Sequence, residues 1–237
     1  MKAEDVEKAK LDPRLRRIKQ IGVVGGTFDP IHWGHLSMAE IVREALQLDE
    51  VAFVPDEYPP HKAGAVAEFA DRCHMVRQAV ADHSSFRYAT VKREKAGPCY
   101  IVDTLTMLKE QIYYLPDTEI FYIIGADSLL EIKSWHRWEH LFDLCHLVVT
   151  SRPSVPDAEL KAWVQTEFAA YATRIKYVPC PGMAVSSTLI RQRASQGKTI
   201  RYLVHPAVHQ YVAKNYLYRP QAHEGEYDLL GQVGRRG

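Results

Sequence analysis

Residues 21–36 read IGVVGGTFDPIHWGHL, and this stretch decides the fold. A short apolar run, residues 21–24, leads into two glycines, an acid and two histidines, and a helical pattern follows over residues 37–48. Small and polar residues are therefore concentrated where a strand passes into a helix. In an open α/β sheet that junction is where phosphate-bearing ligands bind, because helix N–H groups point outward there. Gly25 and Gly26 let backbone approach a phosphate, Thr27 adds a hydroxyl, and Asp29 and Pro30 brace the turn. His32 and His35 are three apart and share one side of a helical turn, with Gly34 leaving room between them for a ligand.

Working outward, apolar runs predict further strands at residues 51–54, 86–91, 120–124, 147–149 and 175–178. Helical spacing predicts helices over 66–81, 101–114, 158–170, 187–195 and 206–217, the last with Pro206 at its first position. Residues 56–64, with Pro59 and Pro60, read as a loop. Strands alternate with helices, which predicts a Rossmann-like, doubly wound, mostly parallel sheet with helices on both faces. A TIM barrel would need about two more strand–helix units. Residues 1–20 read as a charged N-terminal extension, 21–218 as one domain and 219–237 as a polar flexible tail.

Composition narrows the function classes. The chain has 237 residues, 46% hydrophobic and 25% charged, with a net charge of +1. That balance suits a globular protein and carries no basic stripe for nucleic acid. No membrane span and no secretory leader are legible, so a cytoplasmic setting is expected. Cys73, Cys99, Cys145 and Cys180 show no CxxC spacing, which argues against a thiolate zinc site, and Cys145 reads as an inert core thiol. No third ligand accompanies His32 and His35, so no protein-held metal is expected.

The motif GGTFDPIHWGHL resembles the signature of the HxGH nucleotidyltransferases. More narrowly, residues 21–218 resemble the bacterial nicotinate mononucleotide adenylyltransferases. PPHK at 59–62, IIGADSLLEIKSWHRW at 123–138, the Arg–Pro pair at 152–153 and VSSTLIR at 185–191 extend the likeness. The segment at 92–105 keeps Tyr100, Asp103, Thr104 and Leu105 but has Cys99 and Ile101 where the family has serine and threonine.

The resemblance implies transfer of the adenylyl group of ATP to nicotinate mononucleotide, giving nicotinate adenine dinucleotide and pyrophosphate. It implies ATP contacts from Gly25, Gly26, Thr27, Phe28, His32, His35, Gly125, Asp127, Ser187, Thr188 and Arg191. It implies mononucleotide contacts from Thr27, Lys62, Tyr100, Thr104, Trp135 and Arg152. His32, His35, Lys62 and Arg191 are the expected catalytic groups, with Mg2+ bound mainly through ATP phosphates. From residue type, Asp127 is expected to cap a helix, Trp135 to offer an exposed stacking surface and Trp138 to pack in the core, and the resemblance implies that Arg72, matching a recurrent arginine of the family, braces a substrate loop. A phosphopantetheine or nicotinamide mononucleotide acceptor and a non-catalytic nucleotide sensor stay open, as does a homo-oligomer.

Overall fold

A computed structural model describes residues 19–57, 66–92, 100–112, 117–151 and 157–219. The expectations for the N-terminal extension, for Lys62, Cys99 and Arg152, and for the tail beyond Arg219 lie outside the described residues.

Six strands form one sheet: β1 (Gln20–Gly26), β2 (Glu50–Pro55), β3 (Phe86–Tyr88), β4 (Glu119–Gly125), β5 (His146–Ser151) and β6 (Ile175–Pro179). Their order is β3-β2-β1-β4-β5-β6 and every pairing is parallel. The sheet is open, which excludes the barrel. Chain order reverses between β1 and β4, so a crevice opens at their carboxyl ends, where Gly25, Gly26 and Gly125 stand.

The apolar runs are continuous because both faces of the sheet are covered. Val24, Phe53, Ile123 and Val148 face one core. That core is closed by helices α1 (Trp33–Leu46), α2 (Phe69–Val80), α7 (Ser187–Ser195) and α8 (Pro206–Lys214). Ile21, Val23, Val54, Tyr122 and Val149 face the other core. There α3 (Ile101–Gln111), α5 (Leu141–Leu144) and α6 (Asp157–Glu167) supply Leu105, Leu108, Leu141, Leu160 and Val164.

Several boundaries differ from the sequence reading, each for a local reason. Helix α1 starts at Trp33, not residue 37, because the carbonyl of His32 already accepts the N–H groups of His35 (3.0 Å) and Leu36 (3.3 Å). The site residues thus form the first helical turn and hide its apolar spacing. Helix α2 starts at Phe69, not residue 66, because Glu68 holds the N-cap position with a non-helical ψ of 153°, while the N–H groups of Val66 and Ala67 go to the Asp29 carboxylate. The last helix ends at Lys214, short of residue 217, and the chain turns through left-handed Tyr216 (φ 53°) and Tyr218 (φ 64°). The strand at 86 ends at Tyr88, and a 3-10 segment (Ala169–Arg174) follows α6. The short pieces α4 (Ala126–Leu130), Ile132–Ser134, Trp138–His140 and α5 carried too little periodicity to be predicted beyond a helix start near Gly125.

Among the described residues Cys73, Cys145 and Cys180 are free and buried. Burial pushes the Cys145 thiol up to about 12, and the thiol donates to the Leu141 carbonyl (3.2 Å), as an inert core cysteine should.

Candidate active site

The motif turn after β1 is held by hydrogen bonds from distant segments. Asp29 is 3% exposed, yet its carboxylate accepts three donors. They are Val66 N–H (2.8 Å), Ala67 N–H (3.2 Å) and the Tyr218 hydroxyl (2.8 Å). Arg72 is 2% exposed and donates to four main-chain carbonyls. Nη1 reaches Thr27 and Asp56 (2.7 Å each), Nε reaches Ala67 (3.2 Å) and Nη2 reaches Glu57 (3.4 Å). Arg72 thus ties the motif turn to the chain on either side of residues 58–65. Tyr218 was not anticipated; it lies 189 residues from Asp29 and no local pattern connects them.

The VSSTLIR segment docks on the same turn. Ser186 caps α7, its hydroxyl accepting the Leu189 N–H (3.2 Å). Ser187 donates to the Pro30 carbonyl (2.9 Å). Arg191 donates to the Asp29 carbonyl (2.8 Å) and to the Thr188 hydroxyl (3.4 Å). Two helix N-termini, those of α1 and α7, therefore meet at one turn, and Arg191 stands half-buried beside them.

His32 and His35 are brought together as expected. Their rings stack at 3.7 Å, tilted by 24°. The His32 N–H donates to His35 Nδ1 (3.3 Å), so a neutral His35 carries its proton on Nε2. His32 is 7% exposed and its buried Nδ1 has no hydrogen-bond partner among the described residues. Burial lowers its pKa to about 4, so at pH 7 the ring is neutral and contributes a dipole rather than a positive charge.

That shift makes fold stability depend on pH. The unfolded His32, near 6.5, binds a proton that the folded one refuses until about pH 4. Stability therefore falls as pH drops from 6.5 towards 4 and is flat for this group above that window; the whole contribution is about 3 kcal/mol. Urea denaturation across this range tests it: the slope should shrink in His32→Gln, and an unchanged slope would contradict a buried neutral imidazole.

The four glycines of the crevice divide into two kinds. A Cβ at Gly34 would lie 3.0 Å from His32 Nδ1 and Cε1 and 3.2 Å from Val185 Cγ1. The expected free room there is held by the His32 ring, and a side chain would press on it. A Cβ at Gly25 would meet the Tyr122 hydroxyl at 3.2 Å. At Gly26 the nearest atom is 3.7 Å away, and at Gly125 nothing lies within 4 Å. Gly125 thus borders open space where β4 ends, whereas Gly26 faces the Phe28 ring at ordinary contact distance.

Other expected residues separate by role. Phe28 has a left-handed backbone (φ 49°) and a ring buried against His35 (5.1 Å) and Phe53 (6.1 Å), so only its backbone is available to a ligand. Asp127 does not cap α4; Gly125 holds the cap position and Asp127 sits exposed in the first turn. Trp135 is half-buried rather than exposed, its ring in a T-shaped arrangement with Tyr122 at 6.4 Å. Trp138 packs T-shaped against Phe142, Phe168 and Tyr171. The Tyr100 ring lies 4.3 Å from that of His136, tilted by 32°, and Arg137 pairs with Asp103 (2.6 Å). Thr104 is buried and helps line a cavity of about 230 Å³ with Pro55, Asp56, Phe69 and Tyr88. Tyr100 and Trp135 are not among its walls.

Comparison with known proteins adds to this geometry. Residues 23–193 match the model of the cytidylyltransferase-like family. The chain is 39% identical over 202 residues to a probable nicotinate-nucleotide adenylyltransferase of Desulfitobacterium hafniense (strain Y51), spanning 85% of this chain and 96% of that one. The chain belongs to the nicotinate-nucleotide adenylyltransferases of the cytidylyltransferase-like family. A Synechococcus adenylyltransferase of the same name is 41% identical, covering 87% of this chain and 97% of its own. In fold, the adenylyltransferase superposes on the nicotinic acid mononucleotide adenylyltransferase of Plasmodium falciparum complexed with NaAD. The TM-score is 0.68 at 20% identity, over 84% of this chain and 97% of that one.

Proposed function

We infer that this adenylyltransferase joins ATP and nicotinate mononucleotide into nicotinate adenine dinucleotide, releasing pyrophosphate. The observation that carries the reading is the docking of Ser187 and Arg191 onto the Asp29–Pro30 turn beside the stacked histidines, at the sheet's switch point. Both membership of the family and this convergence of donors support it.

The chemistry follows from charge. The mononucleotide phosphate is already nucleophilic at neutral pH, since its second pKa is near 6. Its oxygen attacks the α-phosphorus of ATP in line; the bond to the β-phosphate oxygen breaks and the electron pair leaves with pyrophosphate. No protein base is required. The site must bring two anions together and stabilise charge developing on the leaving group. Arg191 supplies the positive charge, and the N-termini of α1 and α7 supply oriented N–H groups. His32 acts as a neutral donor, His35 donates through Nε2, and Lys62 is assigned to the phosphates on sequence grounds.

Gly25, Gly26, Thr27, the Phe28 backbone, Gly125, Asp127, Ser187 and Thr188 are assigned to ATP in this proposal. Thr27, Tyr100, Thr104, Trp135 and, from sequence, Arg152 are assigned to the mononucleotide. Magnesium fits as an ion carried by the ATP phosphates, where it would screen their charge. Both Asp29 oxygens are engaged by protein donors, and no cluster of three His, Cys, Asp or Glu side chains suited to a metal is found among the described residues. No described helix is long and apolar enough to cross a membrane, in keeping with the cytoplasmic setting we propose.

The test is pyrophosphate release with ATP and magnesium, comparing nicotinate mononucleotide, nicotinamide mononucleotide and phosphopantetheine. Turnover at least tenfold faster with nicotinate mononucleotide is expected. Equal use of both pyridine nucleotides would overturn the acceptor assignment, and turnover with phosphopantetheine alone would replace it. Nucleotide binding with no turnover would favour a sensor.

A further inference from the structure

The chain's final described turn reaches into the phosphate site. Tyr218 is 8% exposed, in a left-handed backbone conformation, and its hydroxyl ends on Asp29 Oδ1 (2.8 Å). Burial and the adjacent Asp29 charge push its pKa upward, so its proton stays in place as a donor throughout the working pH range. Oδ1 also takes the Ala67 N–H and Oδ2 takes the Val66 N–H. The Arg191 guanidinium stands next to this carboxylate without forking onto it. Its Nη1 is 3.8 Å from Oδ2 and donates instead to the Asp29 main-chain carbonyl at 2.8 Å.

A carboxylate and a guanidinium this close have a stronger option, a bidentate pair with two charge-assisted hydrogen bonds. Such a pair would hold the one arginine that α7 brings to the motif turn and withdraw it from an incoming triphosphate. What opposes it is occupancy of the carboxylate by three other donors, two from the backbone and one from Tyr218. We propose that Tyr218 is a positioning residue that, with the Ala67 N–H, fills Asp29 Oδ1, so that the Arg191 guanidinium cannot fork onto both carboxylate oxygens and stays available to ATP. The inference rests on the adenylyltransferase reading and assigns Tyr218 a role within it.

The same C-terminal segment contains a built-in control. Tyr211 donates to Asp71 Oδ1 at 2.7 Å, an equivalent bond between α8 and α2 outside the Asp29 network. If tyrosine–aspartate bonds merely fasten the C-terminal helix, losing either should have the same consequence. If Tyr218 acts through Asp29 on Arg191, only its loss should alter the handling of ATP.

The experiment is steady-state kinetics on the full chain for wild type, Tyr218→Phe and Tyr211→Phe, varying each substrate separately. Sucrose is included to keep a weakened fold populated. For Tyr218→Phe we expect the ATP KM to rise roughly tenfold and kcat to fall roughly tenfold, with the mononucleotide KM within about twofold of wild type. Tyr211→Phe should match wild type in all three. In an Arg191→Lys background, where a bidentate pair cannot form, Tyr218→Phe should add less than about a twofold change in ATP KM. Wild-type ATP kinetics in Tyr218→Phe, or losses spread equally over both substrates and shared by Tyr211→Phe, would overturn the proposal. Absence of pyrophosphate release from the wild-type chain would instead overturn the functional reading on which it rests.

Discussion

Replacing His35 with asparagine lowers kcat by roughly 10²–10³, equivalent to about 2.7–4 kcal/mol of transition-state stabilisation, with little change in the urea midpoint. The two effects separate because His35 has two jobs of unequal weight. Its Nδ1 accepts the His32 N–H and closes the first turn of α1. An asparagine oxygen can take over that acceptor role, so the stability change should stay within about 1 kcal/mol. The proton on its other nitrogen has no substitute of the same reach, and the stack on His32 at 3.7 Å is lost as well. Rapid-quench measurement of the first turnover separates chemistry from product release. A loss below tenfold in that step would remove His35 from the transition state.

Replacing Arg72 with methionine has the opposite signature: a loss of fold before a loss of chemistry. Four carbonyls, those of Thr27, Asp56, Glu57 and Ala67, accept from this one side chain, which is 2% exposed. Methionine fills much of the volume but offers no donor, and the bonds to Thr27 and Ala67 that it removes are buried. Each buried orphan costs about 1–3 kcal/mol, and breaking a buried charged network typically costs about 3–5 kcal/mol. Against a usual total of roughly 5–15 kcal/mol, this endangers folding at 37 °C. Lysine should recover only part of the loss, because an ammonium cannot span the same fan of carbonyls. Urea denaturation at pH 7 measures both variants. A cost under about 1 kcal/mol for methionine would mean that the carbonyls find other partners.

The strand–helix alternation and the doubly wound sheet were legible because both sheet faces are buried, which turns strands into continuous apolar runs such as residues 120–124. The first turn of α1 was not, because it begins within the motif itself, at Trp33, Gly34 and His35, where glycine and histidine interrupt the helical spacing of apolar residues. Helix α2 was read as starting three residues too early because Val66 and Ala67 look helical locally, whereas Glu68 takes a non-helical conformation and the two N–H groups go to Asp29. The pairing of the two motifs was legible only through the resemblance. The Tyr218 bond was not legible at all, since a hydrogen bond across 189 residues leaves no periodic trace. Asp127 was read as a cap from its type, whereas Gly125 holds that position. The neutrality of His32 is a property of burial, which spacing alone does not report.

The closeness of Gly25 and Tyr122 has a consequence for the history of the chain. An alanine at 25 would set its methyl group 3.2 Å from the tyrosine oxygen, but against a phenylalanine ring the nearest atom would be 3.4 Å away, an ordinary contact. The two positions are therefore not free to drift independently. A lineage that acquires phenylalanine at 122 first can later accept alanine at 25, whereas the reverse order passes through a crowded intermediate. A pair of residues that looks like a phosphate glycine and an unrelated core aromatic is, in evolutionary terms, a one-way gate.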